Sequence, residues 1–297
     1  MNWLKGASIA VVSAGLALGI SQMMRQPVEG QVPDVKLSRT ADGKPDLNGI
    51  WQAMGTAHWD LLDHHARSGP VLELGAIAAV PAGLSVVEGN QIPYQPWAAA
   101  KKKENYENWL SRDPEVKCYL PGIPRATYMP YPFQILQTHN NDILMAYEYA
   151  SASRVIKMGK TEPPPVDTWM GQSTGRWEGE TLVVDTIGFN DQTWFDRAGN
   201  FHSEALHVIE RFTRKSPDVL DYEVTIEDPH VFTRPWTISM PLYRRLESNA
   251  QLLEYPCVEF VEEFMYGDAR SKQLVKHWEG DSIVIDITRK MRAEGVR

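Results

Sequence analysis

The amino-acid sequence predicts a mainly β protein: an antiparallel meander of about 8–10 strands closing into a barrel, with one or two short helices before it. Three observations predict this. From Pro130 onward, short runs of alternating apolar and polar residues follow one another with turn residues between them. Two of these runs carry apolar rows broken by single carboxylates: Leu206, Val208, Glu210 and Phe212 on one strand face, and Tyr222, Val224, Ile226 and Asp228 on another. A meander of this size also leaves aggregation-prone edges unless it closes or folds into a sandwich.

In chain order, residues 1–24 supply Lys5 and then an apolar run over 7–20. Such a run suits a secretory segment and is short of the roughly 20 residues a spanning helix needs. No small-x-small site follows Ile20, so 1–24 reads as a signal peptide or an uncleaved signal anchor. The chain after Arg25 is then expected in the periplasm or secreted, with membrane contact only through the N-terminal segment if it is kept. Residues 25–44 read as a polar linker, and 45–297 as a single β-rich domain.

Gly49-Ile50-Trp51 opens the first strand. Residues 58–67 have helical character ended by Gly69-Pro70, and 97–111 predicts a helix closed at Asp113-Pro114, giving a helical insert over roughly 57–112. Strands are expected over 133–138 and 143–149 around a turn at 139–142, then over 154–158 and 181–187. Residues 206–214 and 219–228 pair across Ser216-Pro217-Asp218, and 235–243 and 251–258 complete the run. RWEGETLVVDT at 176–186 is echoed by HWEGDSIVIDI at 277–287, one hairpin design used twice, the second over roughly 273–289.

The net charge is −8 and no Lys/Arg stripe offsets it, which argues against nucleic acid as a partner. The chain has two cysteines, Cys118 and Cys257. In an oxidising compartment they are expected to bridge and to contribute roughly 3–5 kcal/mol, two buried free thiols being the alternative. No Gly-x-Ser-x-Gly elbow, Rossmann fingerprint, phosphate-binding Gly-rich loop or Cys-x-x-Cys-His occurs, so no cofactor is expected.

Two constellations remain. Between the strands of 171–212 lies a polar loop with Asn190, Asp191, Trp194, Asp196, Arg197, His202 and Glu204. A histidine beside a carboxylate can move a proton, and an arginine can hold an anion. His202 or His207 is therefore the candidate proton carrier, Asp196 or Glu204 its orienting partner, and Arg197 the anion holder. The alternative is a loop pinned by Asp–Arg pairs and Asx turns over packed Trp194 and Phe195. The order His202-x-Glu204-x-x-His207 lacks the zincin spacing, and His58, His64 and His65 do not share one helical face, so no metal site is expected. The second constellation is aromatic and basic: Arg125, Tyr128, Tyr131, Tyr147, Tyr149, Arg154 and Trp169, with Trp194 from the loop. It suits a flat or polyphenolic ligand bearing an acidic group; ordinary aromatic packing with cation–π contacts is the alternative.

The blocks CYLPGIPR, GRWEGETLVVDT and DRAGNFHSEALHVIERF resemble a large family of exported bacterial proteins. That resemblance implies an exported domain over most of residues 45–267 and assigns no catalytic residues. Separately, Gly49-Ile50-Trp51 is similar to the Gly-x-Trp entry of lipocalin or calycin barrels, where the tryptophan plugs one end. Together these readings lead to an exported lipocalin-like barrel that binds a small apolar or aromatic molecule. A cofactor-independent hydrolase, lyase or isomerase on the same scaffold is the alternative.

Overall fold

Alternating side chains give a strand one face for a core and one for water, and this chain repeats that pattern until the sheet meets itself. A computed structural model describes residues 37–69, 79–159, 162–255, 257–259 and 262. Among them are nine strands: β1 (Gly49–Ala53), β2 (Phe133–Gln137), β3 (Ile143–Tyr147), β4 (Ser153–Met158), β5 (Gln172–Glu178), β6 (Thr181–Ile187), β7 (His207–Ser216), β8 (Val219–Glu227) and β9 (Trp236–Arg244). They pair in chain order, and β9 closes on β1 through Trp51 opposite Arg244 and Ala53 opposite Leu242. The predicted meander and its closure are both present.

An odd number of strands cannot alternate in direction all the way round a ring. One neighbouring pair must run the same way, and here it is β4 and β5. Parallel neighbours need a long return connection; residues 159–171, with Pro163-Pro164-Pro165, provide it. The parallel ladder is short, joining Ile156 to Ser173, Lys157 to Thr174 and Met158 to Gly175. The other ladders are antiparallel.

Tight turns at one barrel end connect β2 to β3, β5 to β6 and β7 to β8. The β5–β6 turn uses Gly179 at φ +61, as the Trp-Glu-Gly motif suggests. Trp51 also lies toward this end, fully buried, donating from Nε1 to the Leu47 carbonyl at 2.9 Å beneath the Arg244 guanidinium. The long connections, 54–132, 188–206 and 228–235, gather at the opposite end. The first of them contains helices α1 (Pro96–Glu107), α2 (Trp109–Arg112) and α3 (Arg125–Tyr128). Asn108 interrupts the helix expected over 97–111, since its backbone leaves helical values. Gly199 lets the polar loop touch α1, because a Cβ there would lie 2.7 Å from the Tyr106 nitrogen.

Two expected elements are corrected. Residues 58–67 form turns and isolated bridges, not a helix. Asp60 accepts from the Leu62 N–H two residues on, while Asp63 reaches the Ser85 N–H 22 residues away, so one side chain forms a local turn and the other ties the segment to a distant one in place of helical bonds. Residues 251–255 form no strand: once β9 has paired with β1 no free edge remains, and the segment is held instead through Leu253 N–H to Glu148 and Tyr255 against Tyr131. The second Trp-Glu-Gly copy lies outside the described residues.

Candidate functional site

The barrel interior is apolar around its wall and charged at its centre. Inward rows contribute Phe133, Ile135, Met145, Ile156, Val184, Val208, Phe212, Val224 and Ile238, all at most 1 % exposed. Among them Arg154 on β4 meets Glu210 on β7 in a two-point ion pair, Nη1 to Oε2 at 2.5 Å and Nη2 to Oε1 at 2.9 Å. The Tyr222 hydroxyl donates to Glu210 Oε1 at 2.7 Å, and Arg154 reaches the Ser173 hydroxyl at 3.3 Å and the Met145 sulfur at 3.2 Å. Ser173 in turn pairs with Thr186 at 3.0 Å. Burial raises the Tyr147 and Tyr222 phenols above their ordinary value, so both are neutral donors at neutral pH. Arg154 Nε and the Thr127 hydroxyl are buried, and both residues lie beside the Tyr147 phenol.

On the outer face an open groove of about 650 Å³ runs along the β4–β5 seam beside Ser153, Val155 and Lys157. Ahead of the short parallel ladder the two strands are not yet paired, and Pro164, Pro165 and Val166 stand beside the gap. Val155, Val166, Pro164, Pro165 and Met170 line this cavity, with Val155 45 % and Val166 66 % exposed. Exposed β-branched residues gathered at a concavity are unusual for plain surface. Lys157 and Glu162 stand at the cavity, and Lys157 is paired with Asp142 at 2.7 Å.

The residues of the 190–207 loop occupy three separate environments. His202 is buried: its Nδ1–H donates to the Ser203 carbonyl at 2.8 Å, so Nε2 accepts from the Thr193 hydroxyl at 2.6 Å. Burial lowers its pKa, favouring the neutral ring. Asp196 is fully buried and ties two loops together, accepting from the Leu61 N–H at 2.9 Å and from Asn200. Burial and the nearby Asp60 push its carboxyl up to about 7 against those donors. Arg197 is saturated. It binds Glu115 at 2.9 and 3.0 Å and Glu262 at 2.8 and 3.0 Å, between the rings of Trp59 and Trp109. Burial alone would raise Glu115, but Arg197 and Arg125 overcome it and hold that carboxyl at about 2.

Glu204 is exposed. His207 lies on the outer barrel face over a groove of about 600 Å³, with Nδ1 3.0 Å from Glu227 and Nε2 3.2 Å from Asp185. The structure thus brings Asp196 and His202 into one buried loop but leaves His207 and Glu204 outside it. Among the described residues no group of three or more His, Cys, Asp or Glu side chains is arranged to hold a metal ion.

The aromatic and basic set divides as well. Tyr147 and Arg154 face the barrel centre. Tyr128 donates to the Phe195 carbonyl at 2.7 Å, and Arg125 forms a buried pair with Asp113 and Glu115. Tyr131 and Tyr149 stack with Tyr255 beside the Cys118–Cys257 disulfide, whose Cα atoms are 5.7 Å apart. Trp169 packs on Tyr119, and Trp194 is buried opposite Phe201. Sequence reading saw Glu210 as a carboxylate in an apolar row but not as the partner of Arg154. Thr127, Ser173 and Tyr222 were not selected as site residues. Tyr222 and Glu210 carried a signal, since both sit at core positions of alternating strands.

Compared with protein-family models, curated proteins and solved structures, the chain matches none significantly. What the geometry defines is a closed nine-strand β-barrel with a disulfide and a charged centre.

Proposed function

We propose that this is an exported barrel protein that binds a small, largely apolar molecule in the open groove at the β4–β5 seam. One observation carries the reading: Val155 and Val166, 45 % and 66 % exposed, stand with Pro164, Pro165 and Met170 around a concavity of about 650 Å³. A cavity of this size with apolar walls and few polar groups is the usual form of a small-ligand site. The disulfide supports export, since such bonds persist in oxidising compartments. Acid–base catalysis from the loop draws no comparable support, because His202 is enclosed and Arg197 is already doubly paired.

Native mass spectrometry of protein purified without denaturant is expected to show a retained small organic molecule. The paired replacement Val155→Glu with Val166→Glu, at two exposed positions of the groove, is expected to lose that molecule while keeping the thermal midpoint within a few degrees. Retention by the double variant, or no retained mass together with no thermal shift from a panel of small aromatics, would overturn the reading.

A further inference from the structure

The end of the barrel with the tight turns carries a second concavity, separate from the groove at the β4–β5 seam and independent of the function proposed for it. A strap over 38–46 crosses this end and covers only part of it. On the β6–β9 side Leu182, Leu220 and Leu242 are buried. There the inward Arg214 of β7 holds the strap, donating to the Ser38 hydroxyl at 2.7 Å and the Asp46 carbonyl at 2.5 Å. Arg39 fixes the strap again by a two-point pair with Glu180 of the β5–β6 turn, at 2.8 and 2.9 Å. The β2–β5 side stays open. The inward residue nearest this end of each strand, Gln137, Ile143, Met158 and Trp177, lines a groove of about 750 Å³. That volume falls within the range of small-ligand sites.

Its floor is aromatic and aliphatic, and its rim carries both signs of charge. Two short turns hold that rim. In the strap, the Thr40 N–H and hydroxyl both donate to the Lys44 carbonyl, at 2.9 and 3.1 Å, which sets the exposed Asp42 and Lys44 at one edge. Across the groove, the Thr138 hydroxyl donates to the Asp142 carbonyl at 2.6 Å and Asn141 takes φ +70, which sets His139 and Asn141 at the other. Among the described residues neither the Lys44 ammonium nor the His139 ring has a hydrogen bond or salt bridge. A charged ligand would meet its own sign here: an anion meets Asp42 and Asp46, and a cation meets Lys44. Uncharged hydroxyls both donate and accept, so they suit the carboxylate, the ammonium and the amide alike. The half-buried indole of Trp177 offers apolar area for the C–H face of a ring. We propose that this open half of the barrel end binds a neutral saccharide, with one sugar ring on Trp177 and its hydroxyls bonded to Asp42, Lys44 and Asn141.

The test uses the full chain, titrated by isothermal calorimetry with maltotriose, cellotriose and triacetylchitotriose, and with trigalacturonate as the acidic control. At least one neutral trisaccharide is expected to bind, and the acidic one more weakly. Asp42→Ala with Lys44→Ala, at two exposed positions, is expected to weaken that binding at least about tenfold without moving the thermal midpoint. Trp177→Ala is expected to abolish it, and the rim variant decides alone should Trp177→Ala fail to fold. The Val155→Glu, Val166→Glu protein is expected to bind the sugar as wild type does. Binding of none of the three neutral sugars would overturn the proposal and leave the seam groove untouched. Binding that survives the rim variant, that is lost with Val155 and Val166, or that is as tight for trigalacturonate would overturn it equally.

Discussion

Asp196 illustrates how burial changes the meaning of a residue. As one letter in a polar loop it reads as a proton-handling carboxylate; in the fold it is a strut between residues 61 and 200. Its carboxyl, pushed up to about 7, lies above the value near 3.9 that an unfolded chain would show. The folded protein therefore binds this proton more tightly. The contribution is fully present below about pH 4 and is lost as pH rises through 7. Comparing wild type with Asp196→Asn by chemical denaturation isolates this group, because the buried His58, whose pKa burial lowers to about 4, is common to both. Wild-type stability relative to the variant is expected to fall by roughly 2–4 kcal/mol between pH 4 and pH 7. A difference that is flat or rises over that range would contradict the assignment. No local pattern announces the environment of Asp196 or His202, since loop residues carry no period from which burial can be read.

At the level of elements, the strands were legible where alternation was strong. The rows on β7 and β8 faced inward as expected, Glu210 included. Residues 58–67 lack a helix because Asp60 caps a local turn and Asp63 bonds the distant Ser85 backbone, neither of which composition alone separates from a helix. The β5–β6 hairpin offers a clean test of turn chemistry. Gly179 has φ +61 and open space around the position a Cβ would take, so Gly179→Ala meets backbone strain without a clash. It is expected to cost roughly 1 kcal/mol, read as a lower urea midpoint with an unchanged slope. A neutral result would mean that the turn relaxes into another type.

For the molecule as a whole, the disulfide joins positions 139 residues apart and anchors the segment after β9 to the connection that precedes β2. Restricting so long a loop stabilises the fold by roughly 3–5 kcal/mol on chain-entropy grounds. Reduction, or Cys118→Ala with Cys257→Ala, is expected to lower the thermal midpoint by about 10 °C. An unchanged midpoint would show that the tyrosine stack and the Arg197–Glu262 pair hold the segment unaided. Barrel closure was legible in the sequence because an open meander would expose its edges. The parallel β4–β5 junction was not, because the parity of the completed ring requires a parallel pair and the long connection between β4 and β5 locates it only once the strand count is known. The groove at that junction is likewise invisible in the sequence, since Val155 and Val166 meet only when the two strands do.

The β1–β9 seam also sets the order in which the molecule can be made. Trp51 has no neighbouring strand on that side until Arg244 has left the ribosome, so the ring stays open through most of synthesis. Contacts this distant in sequence make a β-fold assemble in milliseconds to seconds, far slower than a helical bundle. A polypeptide that must wait for its last strand remains a linear thread for longer.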